Sequence, residues 1–229
     1  KHKMDTPFKE ILSLDLYQLL KPCQSLFKLS KMKQPDLENF VGIHNRKYCD
    51  GGQCIRLYKT FMKKKDPEAA NIVMGHNEED LLGLGTIFSL LAYKKLYDGE
   101  YHPKQCVILE QELKIVIELS AAAPVNVSCG NSDFYLSVNG YEARMLVHLK
   151  KGKLRQYYRN YKDYEFIPGE DTAMPKSITR YMDKSLKIAT TPQTCYTWFN
   201  CDEDFLNNEK KQMQYLTHTL PFFLDNLNK

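Results

Sequence analysis

His76 and Asp80 stand four residues apart in the run VMGHNEEDLLGL, residues 73–84. On a helix that spacing sets an imidazole and a carboxylate on one face, a single turn from each other. A carboxylate is a hard oxygen donor suited to Mg²⁺ or Mn²⁺, and a neighbouring histidine orients a water molecule or carries its proton. The same pair also suits a solvated His–Asp contact on an amphipathic helix, because so short a pattern recurs by chance. A second set lies downstream, where Lys153, Arg155, Tyr157, Arg159 and Tyr161 alternate with other residues. In a strand, period two puts all five on one face. Cations track phosphates and an aromatic ring stacks on an unpaired base, so the set fits single-stranded nucleic acid. It equally fits a solvent-facing strand whose arginines lie over its tyrosines.

The elements that must carry these residues follow from periodicity. Asp66 as N-cap, Pro67 at the first helical position and Glu68 in the first turn start a helix expected over 66–97. Its buried stripe is expected to be Leu81, Leu84, Phe88 and Leu91. Asp98-Gly99 ends it, and Pro103 marks a boundary between units 1–104 and 105–229. Upstream, a short strand is expected over 11–20, then short helices over 26–33 and 35–40. A turn at Asp50-Gly51-Gly52 precedes a helix over 53–63, closed by Lys63, Lys64 and Lys65. Asp15 reads as a capping or edge carboxylate. Downstream the period switches to two: Val107, Leu109, Leu113, Ile115, Ile117 and Leu119 alternate as a half-buried strand does. A strand over 134–138 runs into Asn139-Gly140, a type I′ hairpin signal, with its partner over 141–149. After Lys151-Gly152 the meander is expected to continue over 154–160, and an amphipathic helix broken at Pro221 closes the chain. The fold class expected is α+β: a helical portion, then a mostly antiparallel β domain with a C-terminal helix.

Composition narrows the classes. Net charge is +4, with 43% hydrophobic residues, so the total demands no polyanionic partner. Residues 143–162, however, hold seven basic side chains and no acidic one. The seven cysteines are scattered, with no Cys-x-x-Cys, which suits free thiols in a reducing compartment and a cytoplasmic protein. His44, Cys49 and Cys54 have the wrong gaps for a zinc site. No apolar run reaches membrane-spanning length, and no membrane partner is expected.

Several runs come in a recognisable order: LDLYQLLKP (14–22), LENFVGI (37–43), GGQCIRLYKTFM (51–62) and GHNEEDLLGL (75–84). Together they resemble the second half of the bacterial RNase H-like exonuclease domain of the YprB type, and GEDTAMPKS (169–177) resembles that family's appended segment. The resemblance covers roughly residues 10–100 as a domain. It implies a DEDD-type 3′–5′ exonuclease whose third motif is the HN-x-x-D run, with Asp80 as a ligand of Mg²⁺ or Mn²⁺ and His76 positioning or deprotonating the attacking water. It implies as partner a single-stranded DNA or RNA end. The family's first two acidic motifs lie upstream of the matched runs, and this chain begins past both. Two-metal cleavage needs several converging carboxylates, so the expectation is a piece of a larger enzyme, inactive without the N-terminal half of the domain. Two other classes remain open: a non-catalytic nucleic-acid-binding module using strand 153–161, and an interaction protein using that aromatic strand as an interface.

Overall fold

The computed structural model describes residues 13–44, 46–48 and 51–227, so expectations placed on residues 11 and 12, Cys49 and Asp50 fall outside it. The expected strand over 11–20 is instead helix α1 (Leu16–Leu20), capped by Asp15, whose carboxylate accepts from the Gln18 N–H at 3.2 Å. A carboxylate just ahead of an apolar run satisfies a helix's orphan N–H groups, and this starts a helix where alternation is weak. A 3₁₀ turn leads into α2 (Gln24–Phe27), which stops early at Lys28 with φ +56°, and α3 (Gln34–Phe40) carries Pro35 in its first turn. Next come α4 (Gly51–Lys64) and α5 (Pro67–Ile87), packed together and joined through Lys65 and Asp66. The Asp66 carboxylate accepts from the Glu68 N–H at 3.0 Å, the cap expected from the sequence. The helix expected over 66–97 is interrupted by a 3₁₀ turn, Phe88–Leu90, and continues as α6 (Leu91–Asp98) to a left-handed Gly99 at φ +88°.

The expected stripe along this helix is overturned. Leu81 is 71% exposed, Leu84 and Phe88 are also exposed, and Leu91 is only partly covered. The buried residues of α5 are Ala69, Gly75, His76, Gly83 and Ile87. Polar residues (Glu68, Asn71, Asn77, Glu78, Glu79) and apolar ones are both spread around this helix, so periodicity alone does not choose which side faces the core.

The sheet supplies most of the interior. Strands β1 (Tyr101–Leu109), β2 (Glu112–Gly130) and β3 (Phe134–His148) pair antiparallel in the order β1-β2-β3. Leu113, Ile115, Ile117, Leu136, Val138, Ala143, Met145 and Val147 form its buried face. Apart from the small Ala143, each such side chain contributes on the order of 1.5–3 kcal/mol by leaving water. Asn139-Gly140 is not a hairpin turn. β3 runs straight through it with Gly140 at φ +54° opposite Ala123, where β2 has matching irregularities beside Pro124. Because β2 is long enough to pair with both halves of β3, the left-handed glycine is accommodated as a shared kink. The reversal occurs before β3, where the Asn131 side chain accepts from the Asp133 and Phe134 N–H groups at 3.0 and 2.9 Å.

β4 (Lys153–Tyr157) leaves this sheet. β5 (Tyr164–Ile167), β6 (Thr172–Pro175), the short α7 (Lys176–Thr179), β7 (Ile188–Ala189) and β8 (Tyr196–Asn200) follow it. β4 pairs with β8, not with β3, and β6-β5-β7 form a small separate sheet. α8 (Glu203–Leu206) and α9 (Glu209–Asp225) close the chain. Pro221 lies inside α9 without ending it, held among buried Leu220, Phe222 and Phe223. The architecture is α+β, as the sequence indicates. One apolar cluster joins Leu20 and Phe27, Tyr93 and Leu96, the sheet face, and Tyr215 and Phe223. It crosses residue 104 without interruption, and the Tyr97 hydroxyl donates across it to Asp225 at 2.7 Å. Among the described residues no helix is long and apolar enough to cross a membrane.

Candidate functional site

α5 brings His76 and Asp80 together as their spacing requires, with His76 Nε2 3.5 Å from Asp80 Oδ2. His76 is buried, and its Nδ1 has no hydrogen-bond partner among the described residues. Asp80 is more open, its side chain 36% exposed. At about 100° per residue, Asp80 sits on the boundary of two arcs of the helix. On one side lie Gly83, His76, Ile87 and Ala69, all buried; on the other lie Leu84, Asn77, Leu81 and Met74, all exposed.

The second partner of Asp80 was not visible in the sequence. Arg46 Nη1 lies 2.6 Å from Asp80 Oδ1. The same guanidinium grips Glu38 on α3 in a two-pronged contact, Nε to Oε2 and Nη2 to Oε1, both 2.7 Å. Gln34 Nε2 donates to Glu38 Oε1 at 2.9 Å and to the Asp80 carbonyl at 2.8 Å. Glu38 is 2% exposed. Its hydrogen bonds from Arg46 hold its carboxyl below the usual range against the opposing effect of burial, and they push the Arg46 pKa upward in return. Farther along α5, Glu79 accepts from the Lys47 and Tyr48 N–H groups at 2.8 and 3.3 Å, fixing the segment that presents Arg46. Two glycines admit these neighbours. A Cβ on Gly83 would overlap the Glu38 carboxylate, and one on Gly75 would overlap the Tyr48 ring. The only signals for this network in the sequence were an acidic residue inside the apolar run LENF and a lone arginine in the segment that follows.

This arrangement tests the expected metal. Asp80 has suitable donor chemistry, but its charge is already met by Arg46, and Glu38 is saturated and buried. Among the described residues no group of three His, Cys, Asp or Glu side chains is placed to hold a metal ion. The described residues therefore do not make a Mg²⁺ or Mn²⁺ site by themselves, and His76 and Asp80 alone amount to an imidazole beside a carboxylate paired with Arg46. Cys49 of the rejected zinc set lies outside the described residues.

The basic strand is not the continuous face expected for it. β4 ends at Tyr157, Arg159 lies in the following loop and Tyr161 opens a 3₁₀ turn. Of the five residues only Lys153 is an exposed strand cation without an internal partner among the described residues. Arg155 lies 4.3 and 5.0 Å from the Tyr196 and Trp198 ring centres and 3.7 Å from Asp171. Tyr157 is buried, its ring stacked on Phe222 at 3.8 Å. Arg159 donates to the Tyr97 hydroxyl at 2.6 Å and pairs with Asp225 at 3.1 Å. Packing of β4 between β8 and α9 draws Arg155 and Tyr157 inward, while Arg159, beyond the strand, stays more than half exposed.

Residues 1–92 match the family model described as the RNase_H superfamily. The match contains α1 to α5 with His76 and Asp80, ends just inside α6, and excludes the sheet and the segment 153–161. No curated protein and no solved structure matches the chain.

Proposed function

We propose that this chain contributes part of the site of a metal-dependent 3′–5′ exonuclease of RNase H type, and that by itself it does not turn over. The observation that carries the reading is Asp80. It is a carboxylate one turn from a buried histidine, inside the segment matched by the superfamily model, and among the described residues it joins no group of three side chains placed to hold a metal ion. In this reading Asp80 is one ligand of a divalent cation whose other carboxylates are not among the described residues, and His76 holds or accepts the proton of a water. The exposed Met74, Leu81, Leu84 and Phe88 support it, because an apolar helix arc next to an incomplete site is a surface that packs against further structure. Residues 1–104 and 105–229 are kept as proposed functional units, catalytic and accessory, although they share a core. The substrate proposed is a single-stranded DNA or RNA end, in a reducing, cytoplasmic setting. The alternative module built on 153–161 finds little support in side chains committed to internal contacts.

The test is Mn²⁺-dependent shortening of end-labelled single-stranded DNA and RNA. This chain alone should release no product. A natural protein that carries it together with the remaining acidic motifs should shorten the strand stepwise from its 3′ end, and Asp80→Asn should abolish that. Turnover unaffected by Asp80→Asn removes Asp80 from the site; cleavage by the isolated chain refutes the incomplete-site reading.

A further inference from the structure

The segment 176–188, KSITRYMDKSLKI, carries four basic residues and one acidic one, and it displays its aromatic ring outward. Tyr181 is 79% exposed, and the Arg180 guanidinium lies 4.5 Å from its ring centre. Ile178, Leu186 and Ile188 of the same segment are exposed as well. Such a surface has to be held out by something, and the scaffold is visible beneath it. Glu165 on β5 accepts from the Thr179 hydroxyl and pairs with Lys187 at 2.8 Å, while Lys187 Nζ donates to the Thr179 carbonyl at 2.7 Å. Those contacts tie the end of α7 to the start of β7 and leave the intervening residues facing solvent. The one acidic residue, Asp183, is turned onto its own backbone, accepting from the Ser185 N–H at 2.8 Å and from its hydroxyl at 2.9 Å. Arg180, which donates to the Tyr181 hydroxyl, and Lys184 form no ion pair with a carboxylate among the described residues, while Lys176 adds its positive field to that of Lys187 on Glu165.

We infer that this segment is a docking platform for unpaired nucleic acid, in which a base stacks on Tyr181 and the flanking phosphates meet Lys176, Arg180 and Lys184. The choice of occupant follows from charge and ring geometry. Two cations without a carboxylate partner, Arg180 and Lys184, with Lys176 nearby in the segment, fit a polyanion, and an open ring braced by a guanidinium fits a flat π-face, which single strands offer and duplexes withhold. The helix α4 is also basic, with Arg56, Lys59, Lys63 and Lys64 and no acidic residue. Among the described residues no arginine braces its exposed Tyr58 in this way, so α4 serves as the control surface. The inference rests on the nucleic-acid reading of the chain, but it needs neither a metal nor cleavage.

The experiment is fluorescence anisotropy of labelled oligothymidylate and oligouridylate with the whole chain, in EDTA so that no cleavage intervenes. Tyr181→Ala should weaken binding about tenfold, the loss of one base stack, while Tyr181→Phe keeps the ring and the affinity. Arg180→Ala with Lys184→Ala should reduce the steepness of the log affinity against log salt plot by about 1.4, two phosphate contacts at ~0.7 each. Lys59→Ala with Lys63→Ala on α4 should change little. The proposal is overturned if the unmodified chain does not bind, if Tyr181→Ala binds as tightly as the parent, or if the α4 variant loses as much as the Arg180/Lys184 variant. Equal affinity for duplex DNA or for anionic phospholipid vesicles overturns it as well. Failure here leaves the Asp80 assay standing, and failure of the Asp80 assay leaves this binding measurement standing.

Discussion

Removing Arg46 separates two roles that its guanidinium combines. Glu38 is 2% exposed and ionised, and its charge is met by two hydrogen bonds of 2.7 Å from Arg46 and one of 2.9 Å from Gln34. Arg46→Ala deletes the cation and strands the carboxylate. Breaking a buried pair from one side costs about 3–5 kcal/mol, mostly the penalty of the orphaned charge. Arg46 itself is 22% exposed, so water reaches the gap, and we expect a loss near the lower end, about 3 kcal/mol. Against a domain stability on the order of 5–15 kcal/mol, that is a large fraction. If orphaned charge is the cause, Glu38→Gln placed in the Arg46→Ala background should recover about 2 kcal/mol, since the amide is neutral and still accepts from Gln34. Urea unfolding followed by circular dichroism on the parent, both single variants and the double variant gives the coupling directly. An Arg46→Ala variant within about 0.5 kcal/mol of the parent refutes the argument. So does a double variant no more stable than Arg46→Ala alone.

The same pair sets an acid limit. The Glu38 carboxyl is held below its ordinary 4.5 by Arg46, so the unfolded chain binds the proton more readily and stability falls as pH drops. The contribution should be complete above about pH 4.5 and lost as pH passes through the depressed folded value. Urea midpoints measured from neutrality to about pH 3 should therefore fall more steeply in the parent than in Glu38→Gln. Two glycines of α5 should respond oppositely to alanine. Gly85 has open space where a Cβ would stand, so Gly85→Ala should stabilise by up to about 1 kcal/mol. Gly83→Ala should destabilise despite the same helical gain, because its Cβ meets the fixed Glu38 carboxylate. Thermal melts of the two variants decide this, and stabilisation by both removes Glu38 from its assigned place.

How much of this was legible in the chain depends on how local the signal is. The caps at Asp66 and Gly99 act over three or four residues and read correctly from the sequence, whereas the cap at Asp15 was hidden in an expected strand, and the period-two run 113–119 marks the buried face of β2. The turn at Asn139-Gly140 misled because its left-handed glycine suits a hairpin and a kink equally, and only the length of β2 decides between them. β4 misled for a similar reason: alternation says which residues share a face but not whether that face meets α9 or solvent. The Arg46–Glu38–Asp80 contacts join elements eight and more than thirty residues apart. No spacing rule reaches across such gaps.

The exposed arc of α5 connects these observations. Large apolar side chains are usually buried, yet Met74, Leu81 and Leu84 of α5 face outward. Asp80 stands at the edge of that arc, within about 120° of all three on the helical wheel. Arg46 keeps the carboxylate in a solvated, neutralised pair while this face is open. Structure packing onto those leucines would exclude water beside Asp80 and strengthen every charge interaction there. Added carboxylates would compete with Asp80 for the same guanidinium. In the proposed reading, covering the apolar arc and completing an acidic site would be one packing event, and Arg46 would be the group whose contacts change.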